Sequence, residues 1–159
     1  MKFLTDGMLG KLTRWLRMLG QDVEYTDSMA DKLLIQKAKK SNLVLLTRDL
    51  QLFQRAIARG TEGFLIEGTN EVENLASLAK RFKFELEIDL KTSRCPKCNT
   101  QIRSVSKESI IDRILESTST YYHEFWECPN CKQIYWQGAH WERIEETLRE
   151  ARKVLKTKA

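Results

Sequence analysis

The sequence predicts an α/β protein in which a parallel sheet is covered by helices. Along the first 82 residues, short apolar runs alternate four times with segments of helical periodicity. Four consecutive strand–helix units are typical of a parallel sheet with helices packed on its faces. The strongest strand candidate, Leu43–Thr47, is continuously apolar, as expected for a strand that is buried on both faces.

The first unit shows both periodicities clearly. Lys2–Thr5 is a short strand candidate, and Met8–Gly20 follows with its apolar residues on one arc and Lys11, Arg14 and Arg17 opposite. Gly20 is a helix stop signal. The remaining elements, in chain order, are strands at Val23–Thr26, Leu43–Thr47 and Gly63–Ile66 and helices at Asp31–Lys40, Leu50–Arg59 and Glu71–Phe82, the last capped by Thr69 or Asn70.

The chain changes character near residue 92. Before it, apolar residues at every second position from Phe84 to Leu90 predict a fifth strand. After it come all four cysteines and both prolines, a short helix within Ser106–Ser117 and a charged amphipathic helix at Glu142–Lys156. We therefore expect an α/β domain at 1–91, a cysteine-rich unit at 92–141 and a C-terminal helix at 142–159.

Composition excludes several classes of protein. The net charge is +5, which permits an anionic partner without requiring one. The only histidines are His123 and His140, so chemistry in the first 120 residues cannot use a histidine base. No apolar run is long enough to span a membrane, and Asp6 interrupts any secretory leader. We expect a cytoplasmic protein without a membrane partner.

The cysteines form two copies of one motif, Cys95-Pro96-Lys97-Cys98 and Cys128-Pro129-Asn130-Cys131. This spacing is typical of a structural zinc site with four sulfur ligands, so Cys95, Cys98, Cys128 and Cys131 are the predicted zinc ligands. Two disulfides and four buried free thiols are the alternatives, and a cytosolic location argues against disulfides. Redox catalysis is disfavoured because neither pair opens a helix after a βαβ strand.

Aromatic residues concentrate beside these motifs. Seven of the 14 lie between residues 121 and 141: Tyr121, Tyr122, Phe125, Trp126, Tyr135, Trp136 and Trp141. They could stack on nucleic acid bases, or they could dock a small zinc ribbon on the main domain. We favour docking because a ribbon has little core of its own. His140 could be a ligand or a catalytic group, but a structural role is favoured because four sulfurs already satisfy zinc.

Acidic residues follow the predicted strands. Asp6, Asp27, Asp49 and Glu67 come after strands one to four, and Asp31 begins the second helix. Parallel strands end at one edge of the sheet, where α/β folds place ligands. Carboxylates gathered there repel one another unless a cation such as Mg²⁺ or Mn²⁺ lies between them. Such an ion activates water and stabilises a phosphodiester leaving group without a histidine.

Structural roles compete with these functional ones. Aspartate is a favoured N-cap, and each acid lies where an N-cap belongs. Lys11, Arg14 and Arg17 could contact a phosphate backbone or simply form the solvated face of their helix. Arg48, beside Asp49, is a better candidate for orienting a phosphate.

Several motifs together carry a family resemblance. They lie in the segments Phe3–Asp22, Leu45–Asp49 (Leu-Leu-Thr-Arg-Asp), Ser93–Asn99, Phe125–Cys131 and Tyr135–Trp141. In combination they closely resemble the Mut-seven carboxy-terminal ribonuclease domain family, a branch of the PIN-like nucleases with an attached zinc ribbon. The resemblance extends over nearly the whole chain.

The resemblance implies a PIN-like, Rossmann-like fold and metal-dependent cleavage of RNA. It assigns the Mg²⁺ or Mn²⁺ site to Asp6, Asp31 and Asp49, with Asp27 as a fourth candidate. We therefore expect a metal-dependent ribonuclease in which Lys11, Arg14 and Arg48 contact RNA. The alternatives are a non-catalytic RNA-binding module and an interaction subunit of an RNA-processing assembly.

Overall fold

The computed structural model describes residues 1–157. A four-stranded sheet contains the strands β1 (Lys2–Thr5), β2 (Asp22–Tyr25), β3 (Val44–Thr47) and β4 (Gly63–Leu65). The helices are α1 (Gly10–Met18), α2 (Asp31–Lys40), α3 (Leu50–Ala58), α4 (Glu71–Phe82), α5 (Lys107–Ile110), α6 (Glu116–Tyr121) and α7 (Trp141–Thr157).

The sheet is parallel throughout, in the order β2-β1-β3-β4. Alternate residues of its strands pack in two separate hydrophobic cores, because successive side chains of a strand point to opposite faces of the sheet. On one face, Phe3 and Leu46 pack with apolar residues of α1, α4 and α7. On the other face, Leu4 and Leu45 pack with α2 and α3. The predicted α/β fold with helices on both faces is confirmed.

The cysteine-rich unit, which we call the ribbon, contains an antiparallel sheet of β5 (Arg103–Val105), β6 (Phe125–Glu127) and β7 (Ile134–Tyr135). Its two cysteine motifs fold identically. The amide of Asn99 donates to Cys95 O at 2.8 Å, and the amide of Lys132 donates to Cys128 O at 2.9 Å. Asn99 and Lys132 both have left-handed backbones, with φ of 74° and 65°. We call these two hairpins, residues 95–100 and 128–133, the first and second knuckles.

The predicted fifth strand is wrong. Residues 84–90 adopt no strand, and nothing in the described part of the chain pairs with them as a ladder. Their alternation has another cause: Phe84, Leu86 and Ile88 pack on the main core, while Leu90 packs on the core of the ribbon. Arg152 of α7 donates to Leu86 O at 2.6 Å. The segment is therefore an irregular connection between the two cores, and we call residues 84–90 the strap.

Other differences are small. A 3₁₀ turn at Gly7–Leu9 precedes α1, and the predicted helix within Ser106–Ser117 is divided into α5, a 3₁₀ turn and the start of α6. Asn70, rather than Thr69, caps α4 by accepting the Glu73 amide. Residues 158–159 of the predicted C-terminal unit lie outside the described residues. Helix α7 packs on α4. The divisions of the chain at residues 92 and 142 stay predictions. Among the described helices, none has the length and apolarity needed to cross a bilayer.

Candidate functional site

Two sites stand out, one at the carboxyl edge of the parallel sheet and one in the ribbon. At the sheet edge, Asp6 follows β1 directly, while Asp27 and Asp49 each lie two residues beyond β2 and β3. Asp31 is the first residue of α2. Parallel pairing of the strands brings these loops to the same side of the molecule.

Asp6 and Asp49 are joined through a buried threonine. The Thr47 hydroxyl donates to Asp6 Oδ2 at 3.3 Å and accepts the Asp49 amide at 3.0 Å. Thr47 is the last residue of β3 and has no exposed surface. Because a buried hydroxyl is fixed by the bonds it makes, Thr47 holds the two aspartates in a set relation to each other.

Both aspartates also act as helix caps, using one oxygen each. Asp6 Oδ1 accepts the Met8 amide at 3.2 Å, and Asp49 Oδ1 accepts the amides of Gln51 and Leu52 at 2.9 and 3.2 Å. Within residues 1–157, Asp49 Oδ2 makes no hydrogen bond or ion pair. One oxygen of each aspartate therefore stabilises the local turn, as the N-cap interpretation predicts, while the second oxygen of Asp6 accepts from Thr47.

Asp31 and Asp27 are placed differently. Asp31 Oδ2 lies 3.6 Å from Arg55 Nη1 of α3, so its charge already has a partner. Asp27 is exposed, and its Cα lies 3.2 Å from where a Cβ on Gly7 would be. The loop after β2 therefore packs directly on the turn that follows Asp6. Among the described residues, the four cysteines are the one group of three or more Cys, His, Asp or Glu side chains close enough to hold a metal.

The basic residues divide into two kinds. Lys11 and Arg14 are exposed on α1, and Arg48 is exposed but donates to Gly68 O at 3.1 Å. Arg17 is buried, contrary to the solvated face expected from the helical pattern. Its guanidinium donates to Val23 O through Nε and Nη2, at 3.0 and 2.7 Å, and to Pro96 O through Nη1 at 2.9 Å.

The four cysteine sulfurs lie within 4.8 Å of one another. The Sγ atoms of Cys95 and Cys131 are 3.6 Å apart, and those of Cys98 and Cys128 are 3.3 Å apart. Tetrahedral zinc with Zn–S bonds of about 2.3 Å places its sulfurs about 3.8 Å apart. All four cysteines are free, which removes the disulfide alternative. The cluster could hold a metal such as zinc.

The surroundings of the sulfurs act in opposite directions, because burial raises the pKa of Cys128 whereas the pKa of Cys98 is lowered. The Tyr135 hydroxyl lies 3.0 Å from Cys95 Sγ, and burial together with this neighbour raises the pKa of Tyr135, so it remains a donor. The Cys131 amide donates to Cys128 Sγ at 3.4 Å. Burial raises the pKa of Cys98, but hydrogen bonds from Thr100 and its neighbours outweigh burial and lower that pKa overall.

The first knuckle docks on the exposed edge of the parallel sheet. β2 is an edge strand, and the Val23 amide donates to Asn99 Oδ1 at 3.0 Å while its carbonyl accepts from Arg17. Asn99 Nδ2 also donates to Asp22 Oδ1 at 2.7 Å. These bonds satisfy backbone groups that an edge strand otherwise leaves open. The ribbon is therefore a fixed part of the fold.

A family model confirms what the sequence motifs suggested. The Mut7-C RNAse domain model matches residues 1–148 of the 159-residue chain. The chain belongs to the Mut7-C RNAse domain family. This membership indicates a ribonuclease-type function with RNA as the substrate. No curated protein and no solved structure shows a significant match to the chain.

The sequence of this Mut7-C domain did not predict the structural roles of three residues, Thr47, Arg17 and Asn99. Thr47 was visible only as the first member of a Thr-Arg-Asp motif, and its hydroxyl bridge depends on the register of β1 against β3. Arg17 and Asn99 act across 79 and 76 residues of sequence. A charged residue at the end of an amphipathic helix and an asparagine after a cysteine motif gave the only local signals.

Proposed function

We propose that this chain is a Mg²⁺- or Mn²⁺-dependent ribonuclease that hydrolyses RNA phosphodiester bonds at the carboxyl edge of its parallel sheet. The observation that carries the proposal is the Asp6–Thr47–Asp49 arrangement, in which one buried hydroxyl bonds the carboxylate of Asp6 and the backbone amide of Asp49. Mg²⁺ commonly binds through one or two carboxylates, several waters and substrate phosphates. A pair of aspartates is therefore a sufficient protein contribution.

Each acid has a distinct part in this proposal. Asp6 and Asp49 would hold the ion through oxygens that are not capping a helix. Asp31 would complete the site when its exposed ion pair with Arg55 opens, and such exposed pairs contribute little free energy. Asp27 lies against the turn after Asp6 and would contribute through its exposed carboxylate.

The chemistry follows from these roles. A divalent ion held at this edge by Asp6 and Asp49 would supply activation of water and stabilisation of charge on the leaving oxygen. In such a hydrolysis, water would give up a proton as it attacks the phosphorus, the bond to the 3′-oxygen would break, and that oxygen would take up a proton, which would leave a 5′-phosphate and a 3′-hydroxyl. Lys11 and Arg14 are exposed on the helix that begins four residues after Asp6, where they could contact the phosphate backbone. Arg48 supports the neighbouring loop through Gly68 and would steady the backbone there.

We propose zinc as the metal of the cysteine cluster, with a structural role. Four sulfur ligands close the coordination sphere and leave no position for substrate. Four thiolates and one divalent ion leave a net charge of about −2 at this site. The buried Arg17 guanidinium interacts electrostatically with Cys95 and Cys98, so it offsets part of that charge.

The test compares cleavage of single-stranded RNA by the wild type, Asp6→Asn and Asp49→Asn, with and without added Mg²⁺ or Mn²⁺. Asp112→Asn is the matched control, because Asp112 is exposed in the ribbon far along the chain from the sheet edge. We expect cleavage to need the ion, to survive in the control and to be lost in the two edge variants. Equal cleavage by the wild type and both edge variants would refute the assignment. RNA binding with no cleavage product under any condition would favour the non-catalytic module.

A further inference from the structure

A second concave surface lies away from the acids. An open cavity of about 520 Å³ lies between the ribbon, the strap and the start of α7. This volume is within the range of small-ligand sites. Its lining includes isoleucine, leucine and proline residues, several polar residues and five aromatic residues: Tyr122, Trp126, Tyr135, Trp136 and Trp141. We call it the ribbon cavity.

One of these rings is fixed and yet exposed. Trp136 is 36% exposed, although its ring centroid lies 6.1 Å from that of Phe125. Gly138 also lies against this ring, because a Cβ on Gly138 would be only 2.9 Å from Trp136 Nε1. The Gly138 amide donates to Trp136 O, and the Trp141 amide donates to Gly138 O, each at 3.0 Å. The tight turn therefore holds a large flat surface open to solvent.

The charge of the ribbon cavity restricts what can occupy it. The residues that line it include Arg94, His140 and Gln137 but no aspartate or glutamate. A cationic ligand would meet no carboxylate among the lining residues, whereas a planar ligand bearing anionic groups would meet aromatic residues and Arg94. The Arg94 guanidinium also donates to Asn99 O at 2.9 Å and lies 3.9 Å from Asp22 Oδ2, which fixes its position. Nucleobases stack on aromatic side chains irrespective of sequence, and their phosphates are attracted by basic groups.

We infer that the ribbon cavity binds unpaired bases of single-stranded RNA, with Trp136 as a stacking surface. The inference rests on the proposed function for the identity of the substrate. It adds a binding site that is separate from the acids. The first knuckle contacts Asp22 and Val23 at the beginning of β2, whereas the acids follow the strand ends. A four-residue strand spans about 13 Å. An RNA strand must therefore be long enough to extend from the acidic residues to the ribbon cavity if it is to contact both.

The experiment measures binding by the full-length, zinc-loaded chain without added Mg²⁺ or Mn²⁺, so that strands remain intact. Fluorescein-labelled oligouridine and oligoadenosine of about 12 nucleotides are the probes. We compare the wild type, Trp136→Ala, Trp136→Phe and Tyr121→Ala. Tyr121 is the control, because its ring is 80% exposed and does not line the ribbon cavity. Zinc content and melting temperature show whether each variant folds.

We expect Trp136→Ala to weaken binding about 5-fold to 150-fold, the range that corresponds to loss of one base–aromatic stack. Trp136→Phe should restore most of the affinity, and Tyr121→Ala should change it less than about 2-fold. The same strands in a duplex should bind poorly, because their bases are already stacked. Equal affinity for Trp136→Ala and the wild type would overturn the inference, as would the absence of any RNA binding, in which case an apolar peptide becomes the better candidate occupant.

A second measurement decides the matter if Trp136→Ala fails to fold. Crosslinking of a 4-thiouridine strand to the wild type should label peptides that line the ribbon cavity, and labelling confined to other parts of the chain would overturn the inference. The two proposals fail separately. Cleavage that depends on Asp6, together with RNA binding that does not depend on Trp136, would refute only the binding site in the ribbon cavity. RNA binding that depends on Trp136, without any cleavage, would refute only the proposed nuclease activity.

Discussion

Replacing Arg17 with methionine should loosen the contact between the first knuckle and the parallel sheet. The guanidinium supplies donors to two carbonyl oxygens, one on Val23 and one on Pro96. Methionine retains an unbranched apolar stem of similar length, so most of the packing in this buried position persists. The specific loss is that of the hydrogen bonds between α1, β2 and the knuckle.

The size of the effect follows from the acceptors left without donors. A buried polar group that loses its partner costs about 1–3 kcal/mol. Two acceptors imply about 2–6 kcal/mol, and the partly exposed setting of the Pro96 contact favours a value of about 3 kcal/mol. For a chain of this size each kilocalorie lowers the melting temperature by about 2–4 °C, so we expect a decrease of about 6–12 °C.

Urea unfolding of the zinc-loaded protein measures this loss as a change in the free energy of unfolding. Arg14→Met is the matched control, because Arg14 lies on the same helix one turn earlier and is exposed. It should change stability by less than about 0.5 kcal/mol. If Arg17→Met were no more destabilising than Arg14→Met, the account of how the ribbon docks would be wrong.

Three further predictions concern acid stability, the cap at Asp49 and metal removal. Hydrogen bonds from Arg113 and Arg103 outweigh burial and lower the pKa of Glu127 below its ordinary value of 4.5. The stabilisation that Glu127 contributes should therefore be complete above about pH 4.5 and disappear as the pH falls through the lowered pKa. Glu127→Gln should make the free energy of unfolding depend less on pH in this acidic range. Asp49→Ala should cost about 1 kcal/mol through loss of the α3 cap, whereas Asp49→Asn keeps the capping oxygen and should unfold like the wild type while losing cleavage; equal stability of the two variants in thermal melts would count against the cap. Removing metal with a strong chelator should lower the melting temperature and unfold the ribbon, as seen by loss of tryptophan fluorescence anisotropy, and an unchanged melt would contradict a structural metal.

Much of the fold could be predicted because its signals are local. The apolar run at Leu43–Thr47 and the amphipathic pattern before Gly20 each depend on neighbouring residues, and both elements form where expected. Residues 84–90 show the limit of this reasoning. Alternation shows only that every second side chain is apolar, and here the apolar residues pack first on the main core and then, at Leu90, on the ribbon core without pairing with a strand.

The site could be predicted in part for the same reason. Strand ends can be located from periodicity, so the positions of Asp6 and Asp49 followed from the strands. The Thr47 bridge, the Arg55 partner of Asp31 and the burial of Arg17 depend on how separate elements pack. Helical periodicity assigned Arg17 to the solvated face because it cannot show that a knuckle 79 residues later covers that face.

The aromatic cluster fits neither of the two interpretations considered for it as a whole. Phe125 is buried in the ribbon core, and Trp126 and Tyr135 pack around the cysteines, so these rings build the core of the ribbon. Trp136 remains exposed beside a tight turn, and base stacking by this ring stays a prediction.

Metal-dependent cleavage by the wild type and Asp6→Asn, assayed side by side, tests the central claim most directly. Asparagine keeps Oδ1 as the acceptor for the Met8 amide, and its Nδ2 can donate to the Thr47 hydroxyl in place of the bond that Oδ2 accepts, so the variant should melt close to the wild type. We predict that Mg²⁺ or Mn²⁺ restores RNA cleavage to wild type that has been depleted of these ions but still holds its zinc, and does not restore it to Asp6→Asn. Cleavage by purified Asp6→Asn at the wild-type rate would contradict the account.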